Sequence, residues 1–563
     1  MNTLLRRSVI GGIAGALSSA ALVATGEHPI VSVVLGVGIG AAYSATLRPT
    51  RGAYVDNLMA AASLGVPLWT LISLIALPLS FGQMPDWSAT QMRQLFPALV
   101  GWVVYGAGLG LTTQAMNDIV VRASGPEPVP SPRASAEKKR IAILGGGFAG
   151  MRVAEYLEEQ LGASVSITLV NEINALLFTP MLAEVAGGSL EPSHITTPLR
   201  SSLHSTEFIR ARVAGIDLAA RRVILANDTA GSAENRQHIA YDHLVLALGA
   251  VSNYLGMSNL EKLSFNFRTL LDAIRIRNHV IEMFERADRE PDPSLRKPIL
   301  TFVIAGGGFA GIELAGALND FTRGILADYP TLHPEELKVI VVHSRERILP
   351  ELSESLARYA QRRMEDRGIA FLLNTRLTDA HPGIVVLSDR EIPAHTLVWT
   401  AGTAPNPLLK SLPVEKDKRG AVVVGHTLAV PGHPNTWALG DCAAMRDAKT
   451  GQSCPPTAQF ALREAELLAG NIKAQIEGSL LREFHFSSLG ALCVVGYQTA
   501  CAELTLPFTR GASMRFSGLL AWFMWRGIYL SKLPGVERKI RVLMDWTIEL
   551  FFPRDIVQTI DLK

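Results

Sequence analysis

The chain is poor in cysteine: 563 residues hold four, Cys442, Cys454, Cys493 and Cys501, and none lies in the first three quarters. No two form a Cys-x-x-Cys pair, so neither a zinc site nor a disulfide framework is indicated. They read as ordinary thiols of a reducing compartment, and no metal is expected. An excess of one charge is also missing. Against 53 basic side chains stand 51 acidic ones, a net +2 that carries no footprint of a nucleic-acid partner. In four places charge is missing altogether: residues 8–25, 29–47, 57–81 and 94–117 contain no Asp, Glu, Lys or Arg. Each run is near the ~20 residues needed to cross a bilayer. The chain is too long for one core, and its length predicts two to four domains.

The charges that flank these runs are one-sided. Arg6 and Arg7 precede the first, Arg48 and Arg51 separate the second from the third, and Arg122, Arg133, Lys138, Lys139 and Arg140 follow the fourth. The opposite loops hold only Glu27 and His28, then Asp86 and Arg93. The positive-inside rule then predicts a four-helix transmembrane region, residues 1–122, with both ends in the cytoplasm. A cleaved signal peptide is the competing reading of the first run, and it leaves residue 118 onward on the same side. Pairs such as Gly11/Gly15, Gly36/Gly40 and Gly106/Gly110 suit close helix packing. With no charge inside the runs, a proton path through them is not expected. Residues 123–137, rich in proline and serine, read as a linker.

Beyond the linker, short β-branched runs alternate with helical stretches, the pattern of a parallel α/β sheet. Arg140–Leu144 reads as a buried strand, followed by Gly145-Gly-Gly147-Phe-Ala-Gly150 and a helix. In such a turn Gly145 permits the tight bend, Gly147 lets a pyrophosphate approach the backbone, and Gly150 packs helix on strand. The helix N-terminus then meets phosphate with free N–H groups. The same unit returns 161 positions later, where Thr301–Ala305 leads into Gly306-Gly-Gly308-Phe-Ala-Gly311. Two identical hexapeptides, each between strand and helix, predict two dinucleotide sites. Hydride chemistry between FAD and NAD(P)H is the economical reason to hold both. Further strands end at Gly249 and at Gly440-Asp441, where the carboxylate suits hydroxyl groups or caps a helix.

These segments resemble the two-dinucleotide-binding flavoproteins, and among them the type II NADH:quinone oxidoreductases. The likeness rests on Leu177–Leu182, Leu190–Pro192, Phe309–Gly316, Trp399–Gly402, Pro455–Gln459 and Ala521–Arg526. It implies that Gly145, Gly147, Gly150 and Asp441 contact FAD, and that Gly306, Gly308 and Gly311 contact NADH or NADPH. The fold expected is α/β: two Rossmann-like domains, preceded by the all-α transmembrane region and followed by amphipathic membrane-docking helices. By residue, the expected parts are FAD domain 138–297, NAD(P)H domain 298–410, FAD domain again 411–486, and docking region 487–563. The cysteine distribution excludes disulfide reductases and sulfide:quinone reductases, which need such residues earlier in the chain.

The sequence departs from the family in three places. The acid that binds ribose ~20 residues after a fingerprint is missing at both sites: Asn171 stands at the first strand end and His343 at the second. His343 and Arg345 suit the 2′-phosphate of NADPH, or else simply face solvent. In the quinone motif the first glutamine is kept as Gln459, while the second has become Arg463, read as a new donor or an outward partner of Glu464. Gln459 is expected at a quinone carbonyl. Glu313 is expected to bind ribose, to relay protons or merely to be a first-turn helix acid. Residues 515–557 mix aromatic and basic side chains, as helices lying in a membrane interface do; a homodimer interface or a packed lid is the alternative. The resemblance thus implies an FAD-dependent, non-pumping NAD(P)H:quinone oxidoreductase of the cytoplasmic (inner) membrane, multi-pass, its catalytic part facing the cytoplasm. A reductase of a protein acceptor and a non-catalytic redox sensor stay open.

Overall fold

The structure, a computed structural model, describes residues 3–25, 29–46, 54–80, 94–123, 138–226, 237–486, 488–505 and 513–558, with Gly82 and Met84. The chain divides into two compact units, Met1–Ala134 with Pro534–Lys539, and Ser135–Leu533 with Ile540–Lys563. The expected linker falls outside the described residues, apart from Ala123, which closes a helix.

In the first unit all four uncharged runs are helical. Arg6–Ala24, Asn57–Ser80 and Phe96–Val120 are long and apolar enough to cross a membrane, and Pro29–Ala45 is a shorter apolar helix among the described residues. The glycine pairs are contact points. A Cβ on Gly15 would stand 1.9 Å from the Gly36 carbonyl oxygen, and one on Gly110 would stand 2.2 Å from that of Asn57. The backbones therefore approach as no other residue permits, which rules out loose spacing. Two large interior side chains are paired: Trp102 Nε1 donates to Ser73 Oγ at 3.0 Å, and the Tyr105 hydroxyl donates to the Gly36 carbonyl at 2.9 Å.

The second unit is built on two parallel five-stranded sheets. In spatial order the first runs Thr436–Ala438, His243–Leu246, Lys139–Leu144, Val165–Asn171, Glu207–Arg210. The other runs Phe265–Asn266, Thr396–Trp399, Thr301–Ala305, Lys338–Val342, Ile369–Leu372. Their central strands are continuously apolar because helices cover both faces. Each sheet has one fingerprint strand in its middle, next to the strand that reverses the order, where open α/β sheets bind ligands. The last strand of the first sheet comes from beyond residue 411, so this domain is discontinuous and the other is inserted in it.

The tail departs from the expected run of helices. Gly490–Gly496, Thr499–Thr505 and Ser513–Ser517 form an antiparallel sheet, so Arg515 and Phe516 lie on a strand. The helices Gly518–Lys532 and Val536–Ile548 follow. The aromatic stripe also splits. Trp522, Trp525 and Trp546 are buried against protein, while Leu519, Leu520, Phe523, Phe551 and Phe552 are exposed. Arg526 lies 3.8 Å from the Trp522 ring centre and 4.6 Å from that of Trp546, with its guanidinium bonded to Glu549 at 2.9 Å.

Candidate functional site

The two fingerprint turns are built alike. Gly145 (φ +106°) and Gly306 (φ +129°) adopt backbone that side-chain-bearing residues avoid. A Cβ on Gly150 would fall 1.8 Å from the Gly145 carbonyl oxygen, and one on Gly311 would fall 2.0 Å from that of Gly306. At Gly147 the same construction meets nothing within 4 Å. Gly147 and Gly308 are the N-caps of the Phe148–Leu161 and Phe309–Ile325 helices, and no side chain caps either helix. Orphan N–H groups on a positive helix end, beside open space, fit a pyrophosphate.

At the end of each neighbouring strand, the last residue of the first (Asn171) and the residue after the second (His343) do something the sequence did not reveal. Asn171 Oδ1 accepts the Gly146 N–H at 2.9 Å, and His343 Nδ1 accepts the Gly307 N–H at 3.1 Å. Both side chains brace the glycine turn. With Nδ1 an acceptor, the His343 ring is neutral with its proton on Nε2, and burial and the nearby Arg345 push its pKa down. His343 therefore brings no charge to a 2′-phosphate. Arg345 is exposed, and among the described residues its guanidinium has no hydrogen bond or ion pair. One acid was missed: Glu351 Oε1 stands 3.8 Å from where a Cβ on Gly308 would be, supplied by a loop with no sequence signature.

Asp441 follows Gly440 (φ +70°), whose added Cβ would meet the Ala149 Cβ at 3.4 Å and that of Ala461 at 3.8 Å. The Gly-Asp turn thus sits between the first fingerprint helix and the Ala458–Glu477 helix. Burial raises the Asp441 pKa, opposed by Arg268 and Arg419. Glu464 is 3 % exposed and accepts the Gly440 N–H on Oε2 at 2.7 Å. Burial pushes its pKa up to about 7. The sequence reading paired Glu464 with Arg463, and the structure corrects this. Helical spacing puts Glu464 on the buried face with Phe460, Ala461 and Leu468, while Arg463 points outward to Glu466 at 3.3 Å. That spacing was the available signal.

Gln459 directs its amide to the start of the tail sheet. Nε2 donates to the Gly490 carbonyl at 3.3 Å and Oε1 accepts the Leu489 N–H at 2.8 Å. Glu313 lies beyond the first turn of its helix, which contains no acid, so the helix-dipole explanation is withdrawn. Its Oε1 accepts the Val494 N–H at 3.2 Å, and burial raises its pKa to about 8. Glu184, held by Arg526 and Trp546, is raised to about 7, also by burial.

Known proteins match this arrangement. Residues 139–465 fit the model of the pyridine nucleotide-disulphide oxidoreductase family, and residues 489–555 fit that of the NDH2 C-terminal domain. The type II NADH:quinone oxidoreductase NdhA of Mycobacterium tuberculosis is 30 % identical over 435 residues, 74 % of this chain and 88 % of that protein. Its relative Ndh from the same organism is 29 % identical over 444 residues, 76 % of this chain and 91 % of that one. In fold, the NDH2 of Plasmodium falciparum in complex with NADH superposes with a TM-score of 0.68 at 18 % identity, covering 75 % of this chain and all of that one. The match of the tail domain carries the narrower assignment. The chain is an oxidoreductase of the type II NADH:quinone oxidoreductase family, whose members use FAD and NADH.

Proposed function

We propose that the chain is a membrane-spanning NAD(P)H:quinone oxidoreductase that pumps no protons. The observation that carries this reading is the pair of equivalent phosphate cradles, each with an uncapped helix end. The first, with Asn171 and Asp441, takes FAD; the second, with Glu351 and Arg345, takes the nicotinamide dinucleotide. When bound, FAD accepts a hydride from the nicotinamide and passes two electrons to a quinone. The chain's own residues position and protonate. Gly145, Gly147 and Gly150, and in the second turn Gly306, Gly308 and Gly311, admit the pyrophosphates. Asp441 receives ribityl hydroxyls, and His343 keeps the second turn rigid. Arg345, whose guanidinium has no hydrogen bond or ion pair among the described residues, meets a 2′-phosphate, so both NADH and NADPH are substrates.

Quinone reduction consumes protons, and Glu313 and Glu184 are buried carboxyls that hold them near neutral pH. Gln459 orders the wall between the helix and the tail sheet, and its Nε2, which donates to the Gly490 carbonyl, is the atom that donates to a quinone carbonyl. Arg463 lies at the outer rim of the same helix. The exposed aromatics of the tail dock on the bilayer, while the amino-terminal helices span it with the catalytic part on the cytoplasmic side. A homodimer through the same aromatics is the competing use of that face. The test is anaerobic stopped-flow mixing with NADH or NADPH, followed by quinone. Bleaching of the flavin band, then its return on adding quinone, is the expected result. A flavin that bleaches but returns only with a protein acceptor would transfer the assignment to a protein reductase.

A further inference from the structure

Glu464 has no part in the mechanism above, yet it is among the few acids enclosed by the core, at 3 % exposure. It rises from the second turn of the Ala458–Glu477 helix to the Gly440 N–H, 2.7 Å away. That N–H belongs to the left-handed residue just before Asp441, wedged between Ala149 of the first fingerprint helix and Ala461. The turn therefore has three supports: a helix on either side and one carboxylate beneath. The backbone immediately beyond is fixed as well, because Cys442 Sγ donates to the Leu246 and Leu439 carbonyls, both at 3.3 Å. We propose that Glu464 is the positioning residue for FAD, holding the Gly440 N–H so that Asp441 is presented to the flavin's hydroxyl chain at the first cradle.

This rests on the reading of the first cradle and Asp441 as the FAD site. The alternative, a helix acid that only fills a gap, is opposed by the directed bond to one backbone donor. Burying a carboxyl is unfavourable unless such a bond offsets it. The groups facing Glu464 are Asp441, Cys442 and Cys454, with Arg268 and Arg419 balancing Asp441 from the other side. Its environment is thus acidic and thiol-bearing, with no cation on Glu464 itself among the described residues.

The experiment uses the full-length protein in detergent, stripped of flavin and titrated with FAD by fluorescence quenching. Glu464→Ala is expected to weaken FAD binding about ten- to a hundredfold, the range for leaving a buried backbone donor without its partner. Glu464→Gln, which still accepts from Gly440, is expected within about threefold of the parent on the same scale. In the Asp441→Ala background Glu464→Ala is expected to add little, since the two act as one unit. Should Glu464→Ala not fold, Glu464→Asp, one methylene too short, takes its place with the same expected direction. Equal affinity of the parent and the truncated variant, or losses that multiply in the double variant, overturns the proposal. A parent chain that binds no FAD at all refutes the underlying site reading instead.

Discussion

Replacing Glu313 by glutamine isolates one buried proton. In the folded chain burial raises this carboxyl from 4.5 to about 8, against hydrogen bonds from the Val494 N–H and the Trp525 side chain. A shift of that size corresponds to about 5 kcal/mol between the charged and neutral forms. The sign follows from linkage. The folded chain keeps the proton up to about pH 8 while the unfolded chain releases it above its ordinary value. The stability associated with it is therefore complete at low pH, declines as pH rises between 4.5 and about 8, and then levels off. Glu313→Gln has no such slope. Unfolding entropy is about 2.1 cal/mol/K per residue, so ~5 kcal/mol over ~400 residues moves a midpoint by at most ~6 °C. Thermal unfolding of parent and variant between pH 5 and pH 8.5, at one scan rate, measures this. The variant's advantage is expected to grow by several degrees across that range. A difference that stays constant with pH would show that Glu313 is ionised in the fold and refute its assignment as a proton holder.

Arg345→Glu is expected to lower the NADPH-to-NADH ratio of kcat/KM about tenfold or more, since it replaces a phosphate partner by a repelling charge; steady-state rates with both coenzymes decide this, and an unchanged ratio removes the NADPH assignment. Gly150→Ala places a methyl 1.8 Å from the Gly145 carbonyl oxygen, so the purified protein is expected to lose its yellow colour; full flavin occupancy would contradict the cradle. Arg526→Ala removes a cation shared by Glu549 and Glu184, with Arg554 still on Glu549 at 2.8 Å, and is expected to destabilise the tail by about 1–3 kcal/mol, read as faster proteolysis after residue 517; an unchanged cleavage rate counts against that lock.

Much of the fold was legible because its signals are local. Glycine at fixed offsets between a β-branched strand and a helix specifies the cradle by itself, and both fingerprint strands stand where the sequence puts them. The gaps in charge located four helices for the same reason. What escaped depends on partners far along the chain. Nothing near residue 171 or 343 announces that the side chain will turn back to an N–H of its own glycine loop. Glu351 reaches the second cradle from a loop whose course is tertiary. The tail sheet was missed because the aromatic stretch after residue 515 drew the reading to helices, while Gly490–Gly496 and Thr499–Thr505, which carry no aromatic side chain, become strands only through pairing that sets Cys493 opposite Cys501. Glu464 was within reach, and weighing buried spacing above nominal charge would have found it.

The brace at the second cradle separates two duties that one residue carries in many nucleotide-binding folds. His343 holds the loop with a nitrogen, so the turn's rigidity does not depend on what recognises the adenosine ribose. On the function proposed above, recognition passes to Arg345, an exposed side chain whose guanidinium has no hydrogen bond or ion pair among the described residues. On that reading, coenzyme choice is open to change by a single exchange at an exposed position that leaves the bond between His343 and the Gly307 N–H in place.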